Sequence, residues 1–234
     1  MPTSPYDLIL FDADDTLYDF ARCEAAAFSA CLQTFLADDA HTWAYPIYRE
    51  VSVPIWRDHE LGLLTLAELS ELRWSALAQH CGFEYPVAEV AAAYLAVLAR
   101  EVHLLEGAVA VCQALAQRHV LGIVTNGFDV VQRARLTSSP LADCISFIVT
   151  SESVGAAKPS ALPFRRALEL YARPVTPERV LMVGDNARSD IAGAHQMGFT
   201  TCWYNAAGRV LPDDIVPHYT ITSLDELPAL TGCA

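Results

Sequence analysis

Five short apolar runs punctuate this chain, and their spacing limits what it can fold into. Residues 6–11 (Tyr-Asp-Leu-Ile-Leu-Phe) come first; Val120–Thr125, Ile145–Thr150, Val180–Gly184 and Thr200–Tyr204 follow after a long gap. Runs this short, apolar at consecutive positions, read as strands buried on both faces of a parallel sheet. Helical stretches near residues 106–119, 130–137, 161–171 and 191–197 lie between or beside them, and Ser223 with Glu226 gives the capping-box signature of a last helix. The alternation predicts an α/β fold: a doubly wound parallel sheet, Rossmann-like, with helices on both faces.

The gap has its own pattern. From about residue 20 to 102 there is no convincing strand. Residues 23–36 are apolar and rich in alanine, and Thr65 with Glu68 makes a capping box ahead of Leu66, Leu69, Leu72 and Ala76 at helical spacing. Pro86 opens a further run in which Tyr94, Leu98 and Val102 recur every four residues. Four or so consecutive helices exceed what one crossover requires. The expected organisation is therefore a core of residues 1–19 and 103–234 with an α-helical cap, residues 20–102, inserted after the first strand. A length of 234 residues, long for one minimal domain and short for two, suits it.

Composition removes several functional classes. Apolar residues make up 53% and charged residues 18%, so the chain can bury a core and is not intrinsically disordered. A net charge of −13 repels phosphate backbones and anionic lipid, which argues against nucleic-acid polymers and membranes as partners. No segment approaches the roughly 20 apolar residues of a membrane helix, and the start lacks the basic region of a signal peptide. Seven widely spaced cysteines show no Cys-x-x-Cys and seven histidines no zinc pattern, so the cysteines read as small buried hydrophobes in a reduced, cytoplasmic protein.

In open parallel sheets ligands bind beyond the carboxyl ends of the strands, where strand order reverses. Asp12-Ala13-Asp14-Asp15-Thr16-Leu17 follow the first strand here and Thr125-Asn126-Gly127 end the second. Lys158-Pro159 lie beyond the third, and Gly184-Asp185 through Asp190 close the fourth. Carboxylates, a hydroxyl, an amide and a lysine thus gather where folding alone does not ask for them. Each has a plainer reading: Asp15 as a solvated turn residue, Thr125–Gly127 as an ordinary turn, Lys158 as a surface lysine, Asp190 as a helix cap. His59 and His195 have no partner of catalytic type nearby and read as structural.

Together, in this order, the four strand ends resemble the four motifs of the haloacid dehalogenase-like hydrolases. The resemblance spans nearly the whole chain. It implies that Asp12 is a nucleophile that forms an acyl phosphate with a phosphomonoester. Mg²⁺, with Mn²⁺ as a substitute, would separate that carboxylate from the phosphate, held by Asp12, the backbone carbonyl of Asp14, Asp185 and Asp190. Asp14 would protonate the leaving oxygen and later deprotonate the attacking water. Thr125 and Asn126 would hold phosphoryl oxygens, and Lys158 would supply positive charge to the nucleophile and the transition state. Metal and lysine would then form a small positive focus inside an acidic shell.

Within that superfamily, the stretches around Asp12, Thr125-Asn126-Gly127-Phe128, Ser151 to Pro159, Met182 to Asp185 and Thr201 to Ala206, with Val53-Pro54-Ile55-Trp56 in the cap, resemble YjjG-type pyrimidine 5′-nucleotidases. That implies a nucleoside monophosphate such as UMP, dUMP or dTMP as the small phosphorylated partner. Trp56 and Tyr48 are the cap aromatics expected to meet the base, against the alternative that Trp56 belongs to the cap core. Three other functions stay open: a phosphatase or phosphomutase for a sugar phosphate, a 2-haloacid dehalogenase, and a phospho-accepting signalling module. Asp14 weighs against the last two, and the metal carboxylates weigh against the dehalogenase.

Overall fold

The computed structural model describes residues 4–36 and 39–233. The strands β1 (Leu8–Phe11), β2 (Val120–Thr125), β3 (Ile145–Thr150), β4 (Val180–Gly184), β5 (Thr200–Tyr204) and β6 (Tyr219–Ile221) form one sheet in the order β3-β2-β1-β4-β5-β6. Every pairing is parallel. Strand order reverses beside β1, so the crevice that such sheets offer to ligands opens beyond Phe11, between β2 and β4. The helices are α1 (Phe20–Phe35), α2 (Ala40–Glu60), α3 (Leu66–Cys81), α4 (Val87–Leu98), α5 (Ala108–Ala116), α6 (Asp129–Thr137), α7 (Ser151–Val154), α8 (Ala161–Tyr171), α9 (Ala192–Gln196) and α10 (Leu227–Thr231).

The chain divides into two compact units: residues up to Asp19 together with those from Leu104 onward, and Phe20–His103. In the first, β1 and β4 are buried along their whole length. Leu8, Leu10, Val124, Val149, Val180 and Met182 pack with Phe164 and Phe199 in one core cluster. Burial on both faces explains why the strands read as unbroken apolar runs. The turn Ala187–Ile191 that leads into α9 is wound as a π-helix, its first amides bonded to the Asn186 side chain (3.0 and 3.2 Å). The helix expected at 191–197 thus opens four residues early, in the wider winding often found at functional sites.

The second unit is helical throughout. α3 begins on the Thr65/Glu68 capping box and ends on Gly82 in the left-handed conformation (φ +70°). α2 runs through Pro46 and Pro54, each of which removes a backbone donor. Burial of Ala40, Ala44, Tyr48 and Ser52 at four-residue spacing keeps one face of α2 inside and outweighs the two losses. Tyr48 has no exposed surface and lies 4.9 Å from Trp74, 5.0 Å from Phe28 and 5.9 Å from Tyr94, centroid to centroid. That corrects the sequence expectation: Tyr48 is part of this unit's own core. Trp56 is half-buried beside Arg73. Five of the seven cysteines are buried, and all seven are free thiols. No helix among the described residues is long and apolar enough to cross a membrane.

Candidate active site

Asp12 follows β1 directly, and its amide donates to Val183 of the neighbouring β4 (2.9 Å), so the backbone at the switch point is fixed. Its carboxylate Oδ1 receives Lys158 Nζ at 2.5 Å. The same ammonium reaches the Val124 carbonyl (2.6 Å) and Asp190 Oδ1 (2.7 Å). An ammonium has three donors, and here all three have acceptors. Lys158 is 1% exposed. Burial disfavours its charge, but Asp12 and Asp190 outweigh that and hold its pKa above the ordinary lysine range. This lysine is not the surface residue that its type suggests.

Asn126 explains how a loop lysine comes to sit there. Its Nδ2 donates to the Lys158 carbonyl (2.9 Å) and its Oδ1 accepts the Lys158 amide (2.7 Å). Both ends of the amide are therefore engaged by backbone, so the Asn126 side chain anchors the Lys158 loop; the sequence expectation had it on phosphoryl oxygens. Thr125 ends β2, buried at the same edge of the sheet.

The fourth strand end supplies two more carboxylates. Asp190 is fully buried, with Oδ2 accepting the Asn186 amide (3.0 Å). A Cβ at Gly184 would collide with the Asp190 carboxylate, so glycine at this strand end is what lets Asp190 approach. The Asp185 amide donates to Thr16 Oγ1 (3.1 Å), and its carboxylate meets Arg209 at 2.7 Å. Burial and the charge of Asp190 push the Asp185 carboxyl up to about 7 despite Arg209. Burial likewise pushes Asp12 well above the ordinary carboxylate range; Lys158 pulls against it, and the charges of Asp190 and Asp185 push further.

Asp12, Asp185 and Asp190 each bring one carboxylate oxygen within 4.8 Å of the other two. Three carboxylates converge on one site where two share one ammonium, and the raised proton affinities of Asp12 and Asp185 express a shortage of positive charge. Hard oxygen donors in that number suit a small divalent cation such as Mg²⁺. The residues present fit the group. The Asp14 carboxylate is not among the three; it receives Gln132 Nε2 and Arg135 Nη1, both at 2.6 Å. Any part it takes in metal binding falls to its backbone carbonyl.

Asp12, Lys158, Asp185 and Asp190 are thus brought together, with Thr125 and Asn126 at the adjoining strand end. Gln132, Arg135 and Arg209 were missed. Gln132 and Arg135 stand three apart on α6, a spacing that puts two polar side chains on one helix face. They read as a solvated surface until that face is seen to be buried. Arg209 lies 24 residues beyond Asp185, in a loop without a pattern. His59 makes a bond from Nδ1 to the Leu64 carbonyl (2.8 Å), a structural role at the end of α2.

Known proteins are similar to this chain over most of its length. Residues 6–198 match the family model described as haloacid dehalogenase-like hydrolase. The pyrimidine 5′-nucleotidase YjjG of Escherichia coli is 37% identical over 96% of this chain and 97% of its own. The pyrimidine 5′-nucleotidase PynA of Streptococcus pneumoniae is 30% identical over 95% and 93%. Among solved structures, the HAD-hydrolase YfnB of Bacillus subtilis, bound to magnesium, is 32% identical and superposes with a TM-score of 0.87 over 97% of this chain and 98% of its own. With its strand-end motifs, its sheet order and relatives of this identity across its length, the chain belongs to the haloacid dehalogenase-like hydrolase family.

Proposed function

We propose that this protein is a Mg²⁺-dependent phosphomonoesterase that works through a phosphorylated Asp12, with pyrimidine nucleoside 5′-monophosphates such as UMP, dUMP and dTMP as substrates. The observation that carries the chemistry is the buried Lys158 ammonium between Asp12 and Asp190, beside a third carboxylate. The nucleotide preference rests on the likeness to the two pyrimidine nucleotidases.

In the first step the Asp12 oxygen not bonded to Lys158 attacks phosphorus while the bond to the ester oxygen breaks. Protonated Asp14 gives its proton to that oxygen, and the nucleoside leaves as an alcohol. In the second step water attacks the same phosphorus, ionised Asp14 takes the proton, and the bond to Asp12 breaks, releasing inorganic phosphate and regenerating both carboxyl groups. Thr125 and the amides that follow β2 hold phosphoryl oxygens, and Lys158 offsets charge that builds on them. Asp12, Asp185 and Asp190, with the Asp14 carbonyl, would hold the cation, which when bound supplies neutralising charge between nucleophile and substrate.

A panel of phosphorylated metabolites assayed for phosphate release, with Mg²⁺ and with EDTA, tests the reading. Expected is release from UMP, dUMP and dTMP that EDTA abolishes, and a loss beyond about 10³-fold in Asp12→Asn. Parental turnover by Asp12→Asn would end the nucleophile assignment. Hydrolysis of sugar phosphates with nucleotides untouched would end the substrate assignment and leave the chemistry.

A further inference from the structure

Asp14 does not hang free at the end of the nucleophile loop. Arg135 Nη1 donates to its Oδ1 and Gln132 Nε2 to its Oδ2, each at 2.6 Å, while a quarter of the side-chain surface stays exposed. We propose that Arg135 and Gln132 are positioning residues: a fork on α6 that holds the Asp14 carboxylate from behind and fixes the direction in which it exchanges a proton with the leaving oxygen. The inference rests on Asp14 being the acid–base of the proposed reaction.

Three independent features of the chain serve this fork. Arg135 has no exposed surface and Gln132 is 3% exposed, and burying a cation and an amide on one helix face is costly unless each has a defined partner. Tyr18 closes the far side: the Arg135 guanidinium lies over its ring at 4.2 Å, and the Asp14 loop folds back so that Tyr18 can stand there, its amide on the Ala13 carbonyl (3.0 Å). Gly127 makes room for the other tine, because a Cβ there would sit 2.6 Å from Gln132 Nε2. The glycine of the Thr125-Asn126-Gly127 turn thus has a reason beyond turn geometry. Gln132 Oε1 finds no partner among the described residues, so the amide is oriented by what its nitrogen donates to. An arginine kept only for packing would need neither the glutamine nor the glycine.

A general acid matters most when the leaving group is poor. A nucleoside 5′-oxygen needs its proton; p-nitrophenolate leaves without one. The experiment compares kcat/KM for UMP, or whichever alkyl phosphate the panel ranks first, with kcat/KM for p-nitrophenyl phosphate, in the full-length protein with Mg²⁺. Arg135→Met is expected to lose at least about 30-fold on the alkyl ester and less than about 3-fold on the aryl ester. Arg135→Lys should recover part of the alkyl loss. Arg135→Met added to Asp14→Asn should cost nothing further, since both act through one group. Gln132→Met carries the same comparison should Arg135→Met fail to fold by circular dichroism. Equal losses on the two esters, or additive losses in the double variant, would reduce the fork to scaffolding and overturn the inference. Should Asp14→Asn itself lose equally on both esters, the acid–base assignment fails. If Asp14→Asn discriminates and the fork variants do not, only the fork fails.

Discussion

Arg135 in the α/β unit and Arg73 in the helical unit are each at most 1% exposed and each lies over at least one aromatic ring, but they differ in their charged partners. Arg135 meets a carboxylate at 2.6 Å on an element that faces the sheet's switch point. Arg73 lies 5.5–5.6 Å from the rings of Tyr48, Trp56 and Tyr94, with Nε and Nη2 lacking a hydrogen-bond partner among the described residues. Ring faces attract a desolvated guanidinium, and the buried Glu24 carboxylate adds to that attraction, so the cation ties α2, α3 and α4 together without a fork geometry. The difference is one of purpose. On the proposed reaction, the cation beside Asp14 fixes the direction of a reacting group, whereas the cation among aromatics helps fill a core.

The largest expected effect tests the first half of that contrast. Lys158→Met keeps an unbranched side chain one atom shorter and removes the charge from between Asp12 and Asp190. Phosphate release should fall by about 10²–10³-fold or more, as when one preorganised electrostatic partner is deleted. Activity within tenfold of the parent would mean that charge at the strand ends is not the chemistry. Next in size is the aromatic core. Trp74→Ala removes the ring that contacts Phe28, Tyr48 and Tyr94, and should cost about 3–5 kcal/mol in denaturant unfolding. Arg73→Met should change stability by less than about 1.5 kcal/mol, because a shorter apolar side chain avoids the desolvation of a buried ion while Glu24 keeps its contacts with Arg49 and Tyr45. A larger loss in Arg73→Met than in Trp74→Ala would show the guanidinium to be a specific partner there too, and the contrast would close.

The same contrast governs what the sequence could disclose. β1 to β5 were legible because strands buried on both faces leave continuous apolar runs, whereas β6 is three residues long with two exposed and leaves no run. α2 was obscured by Pro46 and Pro54, which local rules place outside helices. At the site, Asp12, Lys158, Asp185 and Asp190 could be named because their chemistry sits where a parallel sheet puts ligands, and no folding requirement competes for those positions. Gln132 and Arg135 could not, since a polar pair on a helix looks the same whether it faces water or a carboxylate. Tyr48 failed in the other direction: a large ring in a helical block suggests a ligand contact, yet its four-residue spacing from Ala44 and Ser52 was already the spacing of a core face.

His119, in the α/β unit, offers the smallest effect and a third way to bury a base. It is 6% exposed, with Nδ1 on the Tyr6 carbonyl (3.0 Å) and Nε2 on the Cys233 thiol (3.2 Å). Burial lowers its pKa below the ordinary histidine value; the Arg118 charge adds to that, and the Tyr6 bond and Asp7 oppose it without prevailing. Unlike Arg73, an imidazole can leave its charge behind, so the folded chain holds it neutral. The unfolded chain titrates near about 6.5 and takes up a proton that the folded one resists. The stability gained by burying a neutral ring is therefore complete above that value and is lost as pH falls through the lower folded one. Denaturant unfolding of parent and His119→Gln between neutral pH and pH 5 isolates it: the parent should lose stability relative to the variant on acidification. A difference that stays constant with pH would mean that His119 takes up its proton as readily folded as unfolded, and that the α/β unit admits a charged imidazole at this buried place.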